Sequence, residues 1–385
     1  MKFIALGAAN SVGASCYFLQ AGGRNFLLDC GKGIIGQKTH GPDLTYLSSA
    51  AGLFSLAQLD AIFISHGHYD HIGYLPEITR KCPDTPVYAT QMTKKLARYL
   101  MLDNSFAYAD RSLEQKIGAE FDTASALTRI QTQDYFQPVQ IGSVKFTFYE
   151  AGHVPGAAMI YVESDEGSLL YTGDFRRASS RLTGGYLLPG NLCPDTLLLC
   201  GLHAKHPGYI ISDALNVLAG RVNGAVQENE PCLIVTRELT KGIEIVSFLV
   251  EKMQARQMNS MPIFIDDNIW QLNKRMQEAG VSVLSEHCRR FPNLSRESVP
   301  PGIYVGAKRW GSYFRHVFDT RFSLHADYEE CSDLIRRTRP AQIILVHSPD
   351  DTYGNGNTAL EEEFPASTFI YPAIGQPYLT ARQGG

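Results

Sequence analysis

Through the first half of the chain, apolar residues either alternate with polar ones or run unbroken for a few positions. MKFIAL, CYFLQ, RNFLLD, AIFIS, PVYAT, VKFTFYEAG, AMIYVES and SLLYTGD are separated by glycine-rich and polar turns, and each predicts a short β-strand. The period changes at HIGYLPEITRK and TKKLARYLMLDN, where apolar residues recur at three and four positions and predict helices. Strands alternating with sparse helices predict an α/β design whose sheets are covered by helices. From about Pro207 to Asp319 the texture changes. ISDALNVLAGRV and TKGIEIVSFLVEKMQARQ predict amphipathic helices, and CLIVT and MPIFID predict buried strands forming a parallel pair. ECSDLIRRTR (helix), AQIILVHS and ASTFIYPAI (strands) then resume the earlier style. The expected organisation is a first domain built from residues 1–206 and completed by 320–385, with 207–319 inserted as a separate small α/β lobe. No internal repeat is evident.

Composition narrows this picture only a little. Of the 385 residues 44% are hydrophobic and 19% charged, which is ordinary for a globular chain. The net charge of −4 excludes a polycation that binds nucleic acid over its whole surface, but leaves room for a local basic groove. Eight cysteines stand singly, with no C-x-x-C pair, so neither a disulfide framework nor a thiolate zinc site is expected. No run approaches the ~20 apolar residues of a membrane span. The start, MKFIALGAAN, lacks a charged region followed by a long apolar core. A cytoplasmic protein with reduced thiols and no membrane contact is the expectation.

The densest chemistry is Ser65-His66-Gly67-His68-Tyr69-Asp70-His71, directly after the apolar run AIFI. A strand ending in a tight loop points His66 and His68 to the same side, because alternate residues share a face. Asp70 and His71 then start a helix and turn toward the same point. Three imidazoles and a carboxylate this close together supply nitrogen and oxygen ligands to two adjacent cations. Further ligands are expected at strand ends, where rigid backbone aims them. His153 follows VKFTFYEAG, Asp174 follows SLLYTG, and His347 closes AQIILV. Taken alone, each is more often an ordinary turn or cap residue.

Together these segments resemble a known family. Asp29 in LLDCG, the His66–His71 cluster, His153 in EAGHVPGA and Asp174 in YTGDF resemble, in order, the four motifs of the metallo-β-lactamase superfamily. His325 in FSLHAD and His347 in ILVHS resemble motifs B and C of its β-CASP branch. That branch comprises nucleases such as RNase J and the endonucleases of messenger RNA 3′-end processing. GAANSVGASCY and CLIVTRELTKGIEIV are also similar to its members. The resemblance implies an αββα sandwich with an inserted small α/β β-CASP cap. It further implies two zinc ions, with manganese as the alternative. One would be held by His66, His68 and His153, the other by Asp70, His71 and His347, with Asp174 bridging. A metal-bound hydroxide is then the nucleophile, Asp70 and Asp174 act through the cations, and His325 is the general acid. Asp29 is expected to orient a ligand histidine through its ring N–H.

Two segments depart from the family pattern. Motif A normally places an acid after the strand that here reads DTLLL, yet this chain has Cys200-Gly201-Leu202-His203-Ala204. The acid would hold the motif B histidine in position, and His203 and Asp327 are the candidates to replace it. The glycine-rich loop near the end of the cap is replaced by GIYVGAKRWGSYF, where Lys308, Arg309, Trp310 and Tyr313 combine charge with aromatic faces suited to a nucleic-acid strand. Arg176, Arg177, Arg237 and Lys241 are further candidate phosphate contacts. The implied function is a phosphodiesterase acting on RNA or single-stranded DNA, as endonuclease or exonuclease. A metal hydrolase of small substrates (a cyclic nucleotide or an ester) and a weakly active binding subunit of a nuclease complex are the alternatives. No protein partner is indicated.

Overall fold

The computed structural model describes residues 1–35, 38–101, 113–205, 211–236, 238–281, 284, 288–295, 298–320, 322–348 and 358–382. Its chain divides into two compact units. The first comprises Met1–Ala178, Gly185–Pro207 and His325–Gly385, and the second Ser179–Gly184 and Gly208–Leu324. This differs from the boundaries expected at 207 and 319 in two places. Ser179–Gly184 goes with the second unit because the Leu182 N–H donates to Glu244 Oε1 at 3.0 Å and Arg181 pairs with Glu251 at 2.6 Å. Phe322 goes with it because its carbonyl accepts from Lys241 Nζ.

In the first unit every predicted strand forms. One seven-stranded sheet runs, in spatial order, Pro377–Leu379, Lys2–Gly7, Cys16–Ala21, Arg24–Leu28, Ala61–Phe63, Val87–Ala89, Ile130–Thr132. The other runs Thr368–Ile370, Gln342–Val346, Thr196–Cys200, Gly167–Tyr171, Ala158–Ser164, Val144–Glu150, Pro138–Ile141. The period-2 pattern explains how they stack. Phe3, Tyr17, Phe26 and Phe63 from the first sheet share a core with Phe146, Phe148, Ile160 and Tyr171 from the second. The Phe63 and Phe146 rings lie 3.9 Å apart at this interface. The alternate residues Ile4, Phe18, Leu27 and Ile62 face outward and pack with Ile72, Leu75, Ile78 and Ala97 of the covering helices. Segment HIGYLPEITRK does not form one helix. It splits into Tyr69–Ile72 and Leu75–Lys81, because Gly73 and Tyr74 end the first turn and Pro76 starts the second.

In the second unit the two expected strands do not pair with each other, because Ile303–Gly306 lies between them in a larger sheet. Five strands, all parallel, run Cys288–Arg290, Ile263–Ile265, Ile303–Gly306, Cys232–Val235, His316–Asp319. Helices Ile211–Gln227 and Leu239–Gln254 form as the periodicity predicts, and Asp267–Glu278 is added to them. No helix among the described residues is long and apolar enough to cross a membrane.

Candidate metal centre

Strand direction gathers the polar loops of the first unit at one end of its two sheets. Arg24–Leu28 and Ala61–Phe63 are parallel, so Asp29 and His66 leave the sheet on the same side. Cys16–Ala21 runs antiparallel to them, so Ser15 enters there too. In the second sheet Gly167–Tyr171 and Gln342–Val346 both run parallel to Thr196–Cys200, which brings Asp174 and His347 to one edge. Val144–Glu150 has the same direction through its antiparallel neighbour Ala158–Ser164, and delivers His153.

The side chains converge in two groups whose donor atoms lie within 4.8 Å of one another: His66, His68, His153 and Asp174, and Asp70, His71 and His347. In the first, His66 Nε2 and His153 Nε2 each lie 3.1 Å from His68 Nδ1. Four ligands at zinc–nitrogen distances of ~2.0–2.1 Å and tetrahedral angles have edges of about 3.3 Å, so this spacing fits a cation at the centre. In the second, His347 Nε2 is 3.7 Å from Asp70 Oδ2. Asp174 Oδ2 stands between the groups, 3.7 Å from His66 Nε2, 3.8 Å from His153 Nε2 and 3.4 Å from His71 Nε2. All but Asp70 are buried. The buried Nε2 of His347 makes no hydrogen bond among the described residues, which suits a lone pair reserved for a cation, while that of His71 faces the Asp174 carboxylate.

A network behind the donors fixes their rings. Asp29 accepts from His71 Nδ1 at 2.7 Å, from the Ser65 N–H at 2.6 Å, from Ser65 Oγ at 2.7 Å and from Tyr171 OH at 2.5 Å. Its own backbone is left-handed, φ 59°, as is that of His347, φ 55°. Ser65 Oγ also meets His66 Nδ1 at 3.0 Å, and Ser15 Oγ meets His347 Nδ1 at 2.9 Å. Ser65 and Tyr171 have this role without a pattern that announces it; their only signal is adjacency to His66 and Asp174 within the motifs.

Charge in the cluster is set by competition. Burial and the neighbouring imidazoles of His71 and His68 hold His66 well below the usual histidine range. Burial also opposes charge on His71, but the carboxylates of Asp174 and Asp70 outweigh it and hold the ring well above that range. Burial would raise Asp174, yet the imidazoles of His71, His347 and His325 keep it well below the carboxylate range.

His325 Nε2 is 3.1 Å from Asp174 Oδ2, and its side chain is 16% exposed, so it sits on the solvent side of the cluster. No acid follows Thr196–Cys200; the His203 ring lies 6.0 Å from that of His325. Asp327 caps the helix Tyr328–Thr338 by accepting from the Glu330 N–H at 2.9 Å, so its carboxylate is occupied there. The cationic candidates fare differently. Arg176 is buried, with Nε 4.0 Å from Glu330 Oε1, and does not present its guanidinium as a surface phosphate contact. Arg177 is exposed and paired with Asp333 at 3.0 Å. Lys241 is half-buried, with its ammonium on the Phe322 carbonyl and 4.6 Å from that ring's centre. Lys308 and Arg309 are exposed on the 3-10 turn Lys308–Tyr313, Arg309 lying 5.5 Å from the Trp310 ring. Arg237 lies outside the described residues.

Two family models match the chain. Residues 10–213 match the metallo-β-lactamase superfamily, and residues 315–365 match the Zn-dependent metallo-hydrolase RNA specificity domain. Among curated proteins the chain is similar to Cleavage and polyadenylation specificity factor 73 of Drosophila melanogaster, 25% identical over 94% of this chain and 62% of that protein. It is also similar to Endoribonuclease ysh1 of Schizosaccharomyces pombe, 28% identical over 76% of this chain and 38% of that protein. The chain thus spans less than two thirds of the length of either. Among solved structures, a protein of unknown function from Enterococcus faecalis V583 has the same fold, with a TM-score of 0.64 at 13% identity over 98% of this chain and 99% of the other.

Proposed function

Because this chain belongs to the metallo-β-lactamase superfamily, in its β-CASP branch, we propose that it is a dinuclear-metal phosphodiesterase that cleaves RNA internally. The observation that carries this reading is the position of Asp174, one carboxylate oxygen within reach of both donor groups. Two zinc ions bound there supply Lewis acidity, which brings the pKa of water toward neutrality and offsets charge building on the phosphoryl oxygens. His66, His68 and His153 would hold one cation and Asp70, His71 and His347 the other, with Asp174 within reach of both donor groups. Zinc is favoured over manganese because imidazole dominates the donor set, five ring nitrogens beside the carboxylates of Asp70 and Asp174 being better matched to a borderline cation than to a hard one. Asp29 keeps His71 oriented with Nε2 toward the cluster. His325, partly exposed beside Asp174, delivers a proton to the departing oxygen. The His203 ring, 6.0 Å from that of His325, is the candidate to support it in place of the acid expected after Thr196–Cys200.

RNA is favoured over DNA by the RNA specificity model at residues 315–365 and by the ribonuclease-named relative. Lys308 and Arg309, both exposed, are the proposed backbone contacts. The small-substrate and binding-subunit alternatives are not favoured, since the donor set is complete and the ribonuclease-named relative aligns along most of the chain.

The test uses labelled RNA and single-stranded DNA of one sequence, incubated with purified protein and zinc or manganese. Internal cleavage of the RNA is expected. Asp174→Asn should lower it by more than about 100-fold, beyond the loss typical of residues that only support a ligand. No cleavage of either polymer by protein carrying two cations would count against the reading.

A further inference from the structure

Ser15 sits at the junction of three loops that come from distant parts of the chain. Its N–H donates to the Asp70 carbonyl at 2.8 Å, and its carbonyl accepts from the Gly31 N–H at 2.8 Å. Its hydroxyl meets His347 Nδ1 at 2.9 Å, across 332 residues of sequence. The residue is fully buried. His347 follows the strand Gln342–Val346 in left-handed backbone, φ 55°, and its N–H donates to the Ala8 carbonyl at 2.6 Å. Backbone bonds therefore place this residue, but they do not select which ring nitrogen carries the proton. Ser15 Oγ is the hydrogen-bond partner that fixes the ring through Nδ1.

We propose that Ser15 is a positioning residue that holds His347, and with it the cation position formed by Asp70, His71 and His347. The inference rests on the two-cation reading and goes beyond it. A neutral imidazole that ligates through Nε2 carries its proton on Nδ1, and that proton needs an acceptor in a buried site. Ser15 Oγ accepts it, which selects the tautomer whose Nε2 lone pair faces Asp70, 3.7 Å away. The same residue ties down the backbone of Asp70 itself. Both outer members of the second donor group thus hang on one serine. In the first group His66 is steadied instead through Ser65, and His71, the remaining member of the second, is held separately through Asp29. Loss of the Ser15 hydroxyl is therefore selective: it reaches one cation position and not the other.

The experiment titrates zinc into metal-free wild type, Ser15→Ala and Ser15→Thr by calorimetry against a competing chelator, and records the unfolding midpoint of each metal-free protein. Wild type should take up two cations. Ser15→Ala should keep the tighter one unchanged and bind the second about 10- to 100-fold more weakly, the loss typical of removing a partner behind a metal ligand. Ser15→Thr, which keeps the hydroxyl, should restore the second, and metal-free Ser15→Ala should still unfold cooperatively, its midpoint lowered by no more than the loss of one buried hydrogen bond accounts for. Ser15→Ala binding both cations as wild type does, or losing both alike, would overturn the role given to Ser15. Wild type binding fewer than two would instead overturn the two-cation reading beneath it.

Discussion

Asp29 receives four hydrogen bonds, and its Oδ2 lies 2.7 Å from His71 Nδ1. The other nitrogen of that ring faces Asp174 at 3.4 Å. With carboxylates on both sides His71 is held well above the usual histidine range, so the metal-free ring holds its second proton more firmly than a free imidazole does, and a cation must displace it. The sign follows directly: cation affinity falls as pH drops, because more of the ring is protonated. Calorimetry of zinc binding in buffers of different protonation enthalpy should report net proton release that grows toward lower pH; a heat independent of buffer would contradict this. At this scale the sequence was informative where residue types are distinctive. Three imidazoles and a carboxylate within one short segment point to a cation, and the structure brings His153, Asp174 and His347 beside them. Ser15, Ser65 and Tyr171 were not legible, because a hydroxyl gains its role only when folding brings an imidazole or carboxylate to it. Arg176 reads as a surface cation after Asp174, yet tertiary packing buries it against Glu330.

The strands of the first unit were legible because alternation over several residues fixes both the element and the face it buries, as Phe3 and Ile4 illustrate on opposite sides of one strand. Cys288–Arg290, Ile303–Gly306 and His316–Asp319 were not, since three or four residues hold too little of a period, and a five-stranded sheet was read as a pair. Helix Leu113–Thr128 was missed as well, because its apolar positions form no clean stripe. The loops between these elements are packed as closely as the core. A Cβ on Gly31 would lie 1.7 Å from the Asp70 carbonyl oxygen, and both atoms are on backbone that cannot swing away. Gly31→Ala should therefore cost stability at the upper end of the ~1–3 kcal/mol typical of overpacking, read from urea unfolding, and displace Asp70. A loss below about 0.5 kcal/mol, within the range of ordinary surface changes, would show that this contact is not tight.

Across the whole molecule the division of labour follows the topology. Every donor of the candidate metal centre, with Asp29, Ser15 and His325, belongs to the first unit, although the chain leaves that unit and returns between His203 and His325. Motif order therefore says less than strand direction does: the ends of five strands and the start of a sixth bring residues from 15 to 347 to one place. The second unit adds a parallel sheet and the exposed pair Lys308 and Arg309. The account turns on two cations sharing Asp174. The most direct measurement is a crystal structure of the protein prepared with zinc, with anomalous data collected on both sides of the zinc absorption edge. Two peaks about 3.5–4 Å apart are expected, one among His66, His68 and His153 and one among Asp70, His71 and His347, with Asp174 between them. A single peak, or none within reach of Asp174, would contradict the account.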